Sequence, residues 1–221
     1  MENTTMENTR TKTTRNSLIL LLTAAIWGMA FVSQSKGMDY MHPFTFNGVR
    51  SLIGAASILV YILISRKIAG DKAAPLDWKL NVKAGLLCGI FLTIASTLQQ
   101  FGIKYTSVGK AGFITTLYII FVPMFGIFLK KKVAPVVWAA AVMAAVGMYL
   151  LCMTESLRLG AGDIMVFLCA IAFAIQIMTV DHYAARIDGA VVSCIQFTVC
   201  GVVCCIGALI WGQPTFGQLQ E

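Results

Sequence analysis

Few residues in this sequence have both the type and the setting to do chemistry, and nearly all are polar side chains inside apolar stretches. Arg50, three residues after Asn47 in PFTFNGVR, is the one Lys or Arg inside such a stretch. An Arg at the centre of a bilayer costs about 2.5–3.5 kcal/mol, so it either binds something anionic or snorkels outward and ties carbonyls or Asn47. Both readings stay open. Gln34, Gln99, Gln100, Gln176 and Gln196 pose the same choice between contacting a solute and bonding a neighbouring helix, a bond worth ~0.6 kcal/mol on average. Gln99 and Gln100 point about 100° apart on a helix, so at most one of them faces a given cavity. Thr116 and Tyr118 supply hydroxyls and Trp27 an indole. Pro123 removes a backbone donor and leaves the carbonyl of Ile119 without its usual partner, as a hinge or as a bystander kink. The substrate-binding set is therefore Arg50, Asn47, Trp27, Gln34, Gln99, Gln100, Thr116, Tyr118, Gln176 and Gln196, with Pro123 as hinge.

No Asp or Glu falls in the middle of an apolar stretch; Asp39, Asp163, Asp181 and Asp188 lie at ends or in connections. A proton relay on an intramembrane carboxylate is not visible, although Asp181 with His182 at a span end could titrate. The two histidines, His42 and His182, also sit near span ends. An intramembrane enzyme would need a Ser with His, paired acids or a His-rich metal site at matched depths, and no such constellation is present. The seven cysteines (Cys88, Cys152, Cys169, Cys194, Cys200, Cys204 and Cys205) have no metal-ligand spacing, and they read as small apolar packing residues. No metal, cofactor or catalytic residue is expected.

The elements that must hold these residues follow from composition. Of 221 residues, 58% are hydrophobic and only 12% charged, too apolar a balance for a soluble enzyme, a disordered chain or a disulfide scaffold. A bilayer core of about 30 Å needs about 20 apolar helical residues. Seven stretches qualify, near 17–35, 44–65, 82–103, 111–129, 135–153, 162–180 and 189–211. Only helices satisfy every backbone group within one segment in lipid, so the fold class is all-α, a polytopic transmembrane helix bundle. Gly85 and Gly89, four apart, suit close helix approach.

Lys and Arg alternate between the connections. Twelve fall with the N-terminal tail and the even-numbered loops, four with the odd-numbered ones. This bias predicts a cytoplasmic N-terminus, and it accounts for the net charge of +7 without nucleic acid. Seven spans then put 212–221 on the outer side.

The first span, LLTAAIWGMAFVSQ, and the sixth, VFLCAIAFAIQIMT, align at an offset of 145. Pro43 then falls on Asp188 and Arg50 on Ile195, beside Gln196. Five spans separate equivalent points, so the repeat is inverted, and its second copy stops after two of five helices. The segments expected are a cytoplasmic tail over 1–16, a first repeat over 17–153, an external loop over 154–161 and an incomplete second repeat over 162–221.

AIWGMAFVSQ, PFTFNGVR, LQQFGIKYTSVGKAGFITTLYIIFVP and GDIMVFLCAIAFAIQIMTVD together resemble the EamA-like family of the bacterial drug/metabolite transporter superfamily. The resemblance implies a ten-helix inverted-repeat carrier of which this chain would be a C-terminally truncated form. It also implies export as the more frequent direction. Many members carry an acid just after the fourth span, where this chain has Lys130, Lys131 and Lys132.

The expected function is secondary transport of a small metabolite or drug-like solute across the inner or plasma membrane by alternating access. The alternative is a truncated membrane interaction protein, or remnant, that does not transport. The expected partners are a small-molecule substrate and the lipid bilayer, with a homodimer left open and no nucleic acid.

Overall fold

The computed structural model describes residues 2–70, 76–129, 134–152 and 160–211. The expected external loop 154–161 and the 212–221 tail fall largely or wholly outside these residues, as do Lys130, Lys131 and Lys132. Eight helices follow one another, with no strand among the described residues: α1 Glu2–Tyr40, α2 Pro43–Ala69, α3 Trp78–Tyr105, α4 Val108–Thr116, α5 Tyr118–Phe128, α6 Pro135–Cys152, α7 Ala161–Tyr183 and α8 Gly189–Trp211. A short 3-10 turn, Ala184–Arg186, joins the last two. The all-α bundle expected from the apolar stretches is what the chain forms.

Local chemistry sets where each helix starts. Pro43 opens α2, and His42 Nδ1 accepts from the amide of Phe44. Asp77 caps α3 through the amide of Leu80 at 3.0 Å, and Ser107 caps α4 through that of Lys110 at 3.2 Å. Asp163 reaches back to the amide of Gly160 at 2.9 Å. Asp188 Oδ1 accepts from Ala190 and Val191 at the start of α8.

Six segments are long and apolar enough to cross a bilayer, α4 and α5 counting together as Val108–Phe128. The helix over the expected fifth span, α6, is apolar but only 18 residues long. The first span runs on past its expected end at 35, through Lys36, Gly37 and Asp39 to Tyr40. The fourth span is broken at Leu117, six residues ahead of Pro123, where the amide of Leu117 bonds Ile114 in a tightened turn at 3.2 Å. Thr116 gives a local reason: its hydroxyl donates back to the carbonyl of Gly112 at 2.7 Å, a bond that competes with the backbone ladder and bends helices.

The core is α2, α3, α7 and α8. Helix α3 lies against both α7 and α8, and α2 lies against α8. Double coverage explains why α3 buries so many small and polar positions, among them Asn81, Ala84, Gly85, Cys88, Gly89, Ser96, Gln99, Gln100 and Gly102. Without a hydrophobic drive between helices in lipid, close approach of backbones is what holds them. Gly85 and Gly89 face α8: a Cβ at Gly85 would lie 2.7 Å from Ile195, and one at Gly89 2.8 Å from Val199. Gly102 sits on Val166 and on the carbonyl of Gly162. Helices α2 and α8 run antiparallel and exchange knobs, Leu52 entering at Gly201 and Phe197 at Gly54. Large apolar side chains cover the outside, including Leu20, Leu22, Met29, Ile68, Leu150 and Leu209. With six spans and an apolar surface, the protein is a multi-pass membrane protein.

Candidate functional site

The two ends of the bundle are tied differently. At one, the Tyr40 end, Thr106 at the close of α3 donates to Asp163 at the start of α7. His42, between α1 and α2, rings with Phe44 and Phe101, and Phe44 stacks on Trp211 at 5.9 Å. At the other, Arg66 pairs with Asp188 at 3.4 Å, and Asn81 accepts the Asp188 amide at 2.9 Å. Thus α3 is fastened to α7 at one end and to the α7–α8 joint at the other.

Between these ties lies a polar layer. Arg50 donates through Nη2 to Asn47 Oδ1 at 3.0 Å, its guanidinium 5.6 Å from the centre of the Phe46 ring. Asn47 is fully buried and donates from Nδ2 to the Ser96 carbonyl on α3 at 3.0 Å. One turn along α3, Gln100 Nε2 donates to the carbonyl of Gln34 on α1 at 3.3 Å. Gln99, on the adjoining face, donates to Thr115 of α4 at 3.3 Å. Gln34 lies six residues before the end of α1, Gln100 five before the end of α3, and Arg50 and Thr115 seven after the starts of α2 and α4. At 1.5 Å per residue these groups share a depth of roughly 8–11 Å below the Tyr40 end.

Behind the layer, hydroxyls and thiols join α2, α3 and α8. Ser51 and Ser96 both meet Cys200 Sγ at 3.4 Å, and Thr97 meets Cys204 at 3.8 Å. These contacts glue helices and leave no polar atom facing outward at Cys200 or Cys204, which are buried.

The sequence-derived set divides accordingly. Arg50, Asn47, Gln34, Gln99 and Gln100 share the layer. Gln176 and Gln196 bond each other at 3.0 Å, about seven residues in from the opposite end, and stand apart from it. Thr116 lines an apolar crevice with Phe113, Leu117 and Ala141, also outside the layer. Tyr118 begins α5, and Pro123 is buried within it. Trp27 lies mid-helix on α1, 50% exposed on the bundle surface. Ser96 and Thr115 are the layer members that the set omits. The spacing that points to Ser96 is its place one turn before Gln100, the same spacing that joins Asn47 to Ser51.

Charge in the layer is one-sided. Among the described residues the acids of this end, Asp39 and Asp163, lie nearer its rim, and Asp163 is taken up by Thr106 and the Gly160 amide. Arg50 therefore holds a positive charge against a neutral amide, on an exposed side chain of a bilayer-spanning helix. Among the described residues no group of three or more His, Cys, Asp or Glu is arranged to hold a metal.

Residues 15–153, more than half of the chain, match the EamA-like transporter family. The chain belongs to that family. It is also 31% identical over 171 residues to an uncharacterized transporter of Archaeoglobus fulgidus. That alignment takes in 75% of this chain and 48% of the relative, so the chain spans about half the length of the curated relative it matches. No solved structure matches it.

Proposed function

We propose that this protein is a secondary transporter for a small organic anion, working by alternating access, with Arg50 as the residue that takes the anionic group. The observation that carries the reading is the charge: Arg50 ties Asn47, as a structural arginine also would, but that amide is neutral, and no described carboxylate forms an ion pair with the guanidinium. A cation left unneutralised at this depth is expensive unless a passing anion pairs with it. Asn47, Gln34, Gln99 and Gln100 complete the solute site near Arg50. Gln176 and Gln196 serve the other end of the passage, Thr116, Tyr118 and Trp27 line its flanks, and Pro123 acts as hinge.

The inverted repeat read from the sequence would let two halves alternate about a central site. Leu52 and Phe197, equivalent at the offset of 145, each lie against a glycine of the other's helix, Gly201 and Gly54, two positions from an exact two-fold match. Uneven packing supports such alternation, since α2, α3, α7 and α8 are closely packed while α1, α4, α5 and α6 touch them more lightly. The cation bias of the loops supports a cytoplasmic N-terminus. The membrane is the inner or plasma membrane, and solute moves outward, the direction that the family resemblance implies. Reconstituted in liposomes, the protein should carry radiolabelled organic anions without converting them. Arg50→Ala should abolish flux while the chain still inserts; flux unchanged in that variant would remove Arg50 from the site.

A further inference from the structure

At the depth of Arg50 the layer holds two buried oxygens that receive no hydrogen bond from any described residue, Gln34 Oε1 and Gln100 Oε1. Both side chains are deeply buried, Gln34 with 5% and Gln100 with 0% of its surface exposed. The orientation of Gln100 is fixed chemically, because its Nε2 must face the Gln34 carbonyl, which can only accept. Its oxygen is thereby turned away from that bond. A buried acceptor left without a donor is unfavourable, so two together in one helix interface mark a place where a donor is supplied in the working protein.

The ligand class follows from three features. Both atoms are acceptors, so the missing partner is an N–H or O–H group. No described carboxylate lies in the layer to balance a buried ammonium, so a neutral donor suits the place better than a charged one. Finally, Arg50 is linked to α3 through Asn47, whose anchor, the Ser96 carbonyl, comes one turn before Gln100, so the Asn47 amide and a turn of α3, about 5.4 Å along its axis, stand between the guanidinium and the glutamine pair.

We propose that Gln34 and Gln100 form a second subsite, which takes a neutral hydroxyl or amide donor standing about a helical turn from the anionic group that Arg50 binds. The inference rests on the Arg50 reading and narrows it: the cargo is an elongated hydroxy- or amido-anion, as opposed to a plain carboxylate or an anion whose donor adjoins the charge.

The test uses three six-carbon acids: hexanoate, 2-hydroxyhexanoate and 6-hydroxyhexanoate. Their affinities for the full chain in detergent are read from thermal stabilisation. The expected result is 6-hydroxyhexanoate binding about tenfold more tightly than the other two, the effect of one or two hydrogen bonds, with that advantage gone in Gln34→Met and Gln100→Met. Gln34→Met guards against misfolding. It is close in size, its amide oxygen makes no bond with a described residue, and without solute the variant should be at least as heat-stable as the parent. Equal binding of all three acids to the parent would mean a resident water only and would overturn the subsite. So would an equal gain from the 2-hydroxy isomer, or an advantage that survives in Gln34→Met. Hexanoate binding that is untouched by Arg50→Ala would sink the Arg50 reading alone, whereas failure of all three acids to bind would sink both.

Discussion

Asn47 accepts the Arg50 guanidinium at 3.0 Å from within the same helix, one turn apart on α2. Its other amide atom spans to the Ser96 carbonyl on α3, so the charge is carried by one helix and registered against another. The amide orients Arg50 without cancelling it. Asn47→Asp would replace that neutral acceptor by a carboxylate of almost the same shape, pairing with Arg50 in a setting where a charged bond is strong. Anion affinity should fall at least tenfold, and the chain should also lose about 1–3 kcal/mol of stability, because an aspartate cannot donate to the Ser96 carbonyl as Asn47 does. Anion titrations by thermal shift, parent against Asn47→Asp, check this; equal midpoints would mean that Arg50 does not meet the anion.

Glycines in the helix contacts divide sharply by what a methyl group would meet. At Gly102 the added Cβ would strike Val166 and come within 2.9 Å of the Gly162 carbonyl, which is backbone and cannot turn aside. Gly112 has nothing within 4 Å. Gly102→Ala should therefore lose about 1–3 kcal/mol by overpacking, while Gly112→Ala should be neutral or gain up to ~1 kcal/mol from helix propensity. Unfolding in mixed detergent micelles compares the two, and a Gly102→Ala as stable as the parent would mean that α3 and α7 do not approach so closely.

At the opposite end, the Arg66–Asp188 ion pair is the visible interaction, but it is the weaker one. Its side chains are 36% and 38% exposed, and exposed pairs contribute between nothing and about 1 kcal/mol. Asp188 also caps α8 through two amides, at 3.0 and 3.3 Å, and loss of such a cap costs about 1–2 kcal/mol. Asp188→Ala should thus destabilise clearly more than Arg66→Ala, and Asp188→Asn, which keeps a capping oxygen, should recover most of the difference. Equal losses in Asp188→Ala and Arg66→Ala would assign the effect to the ion pair.

The long apolar runs, the capping residues and the clustering of charge between spans all announced a helical membrane bundle. Bilayer thickness and backbone satisfaction leave so few alternatives that composition suffices. The break at Leu117 was harder to read, because a proline drew attention to Ile119 while a threonine hydroxyl bent the chain earlier. The site was legible only in part. Arg50 and the buried glutamines stand out as polar residues in apolar company, but which of them meet depends on helix rotation and on which helices touch. Gln176 and Gln34 look alike in the chain, yet one finds Gln196 and the other closes on α3. Spacing one turn before Gln100 was the only sequence signal for Ser96, because its contribution to the site is a backbone carbonyl, which every residue has.

His42 makes the start of α2 sensitive to acid. Its Nδ1 accepts from the Phe44 amide, a role open to the neutral ring and closed to the protonated one. Burial among Phe44 and Phe101, followed by the nearby Lys104 charge, pulls its pKa below the usual 6.5. Above that value the ring is neutral in the folded and unfolded chain alike and contributes no pH dependence. As the pH falls below it, the unfolded chain takes up the proton first, so stability declines until the folded pKa is passed. The thermal midpoint should therefore drop between pH 7.5 and 5.5. In His42→Asn, which keeps a capping oxygen but does not titrate in this range, the drop should be smaller. Parallel scans at the two pH values decide the matter: the same decline in both proteins would place the acid sensitivity elsewhere than His42.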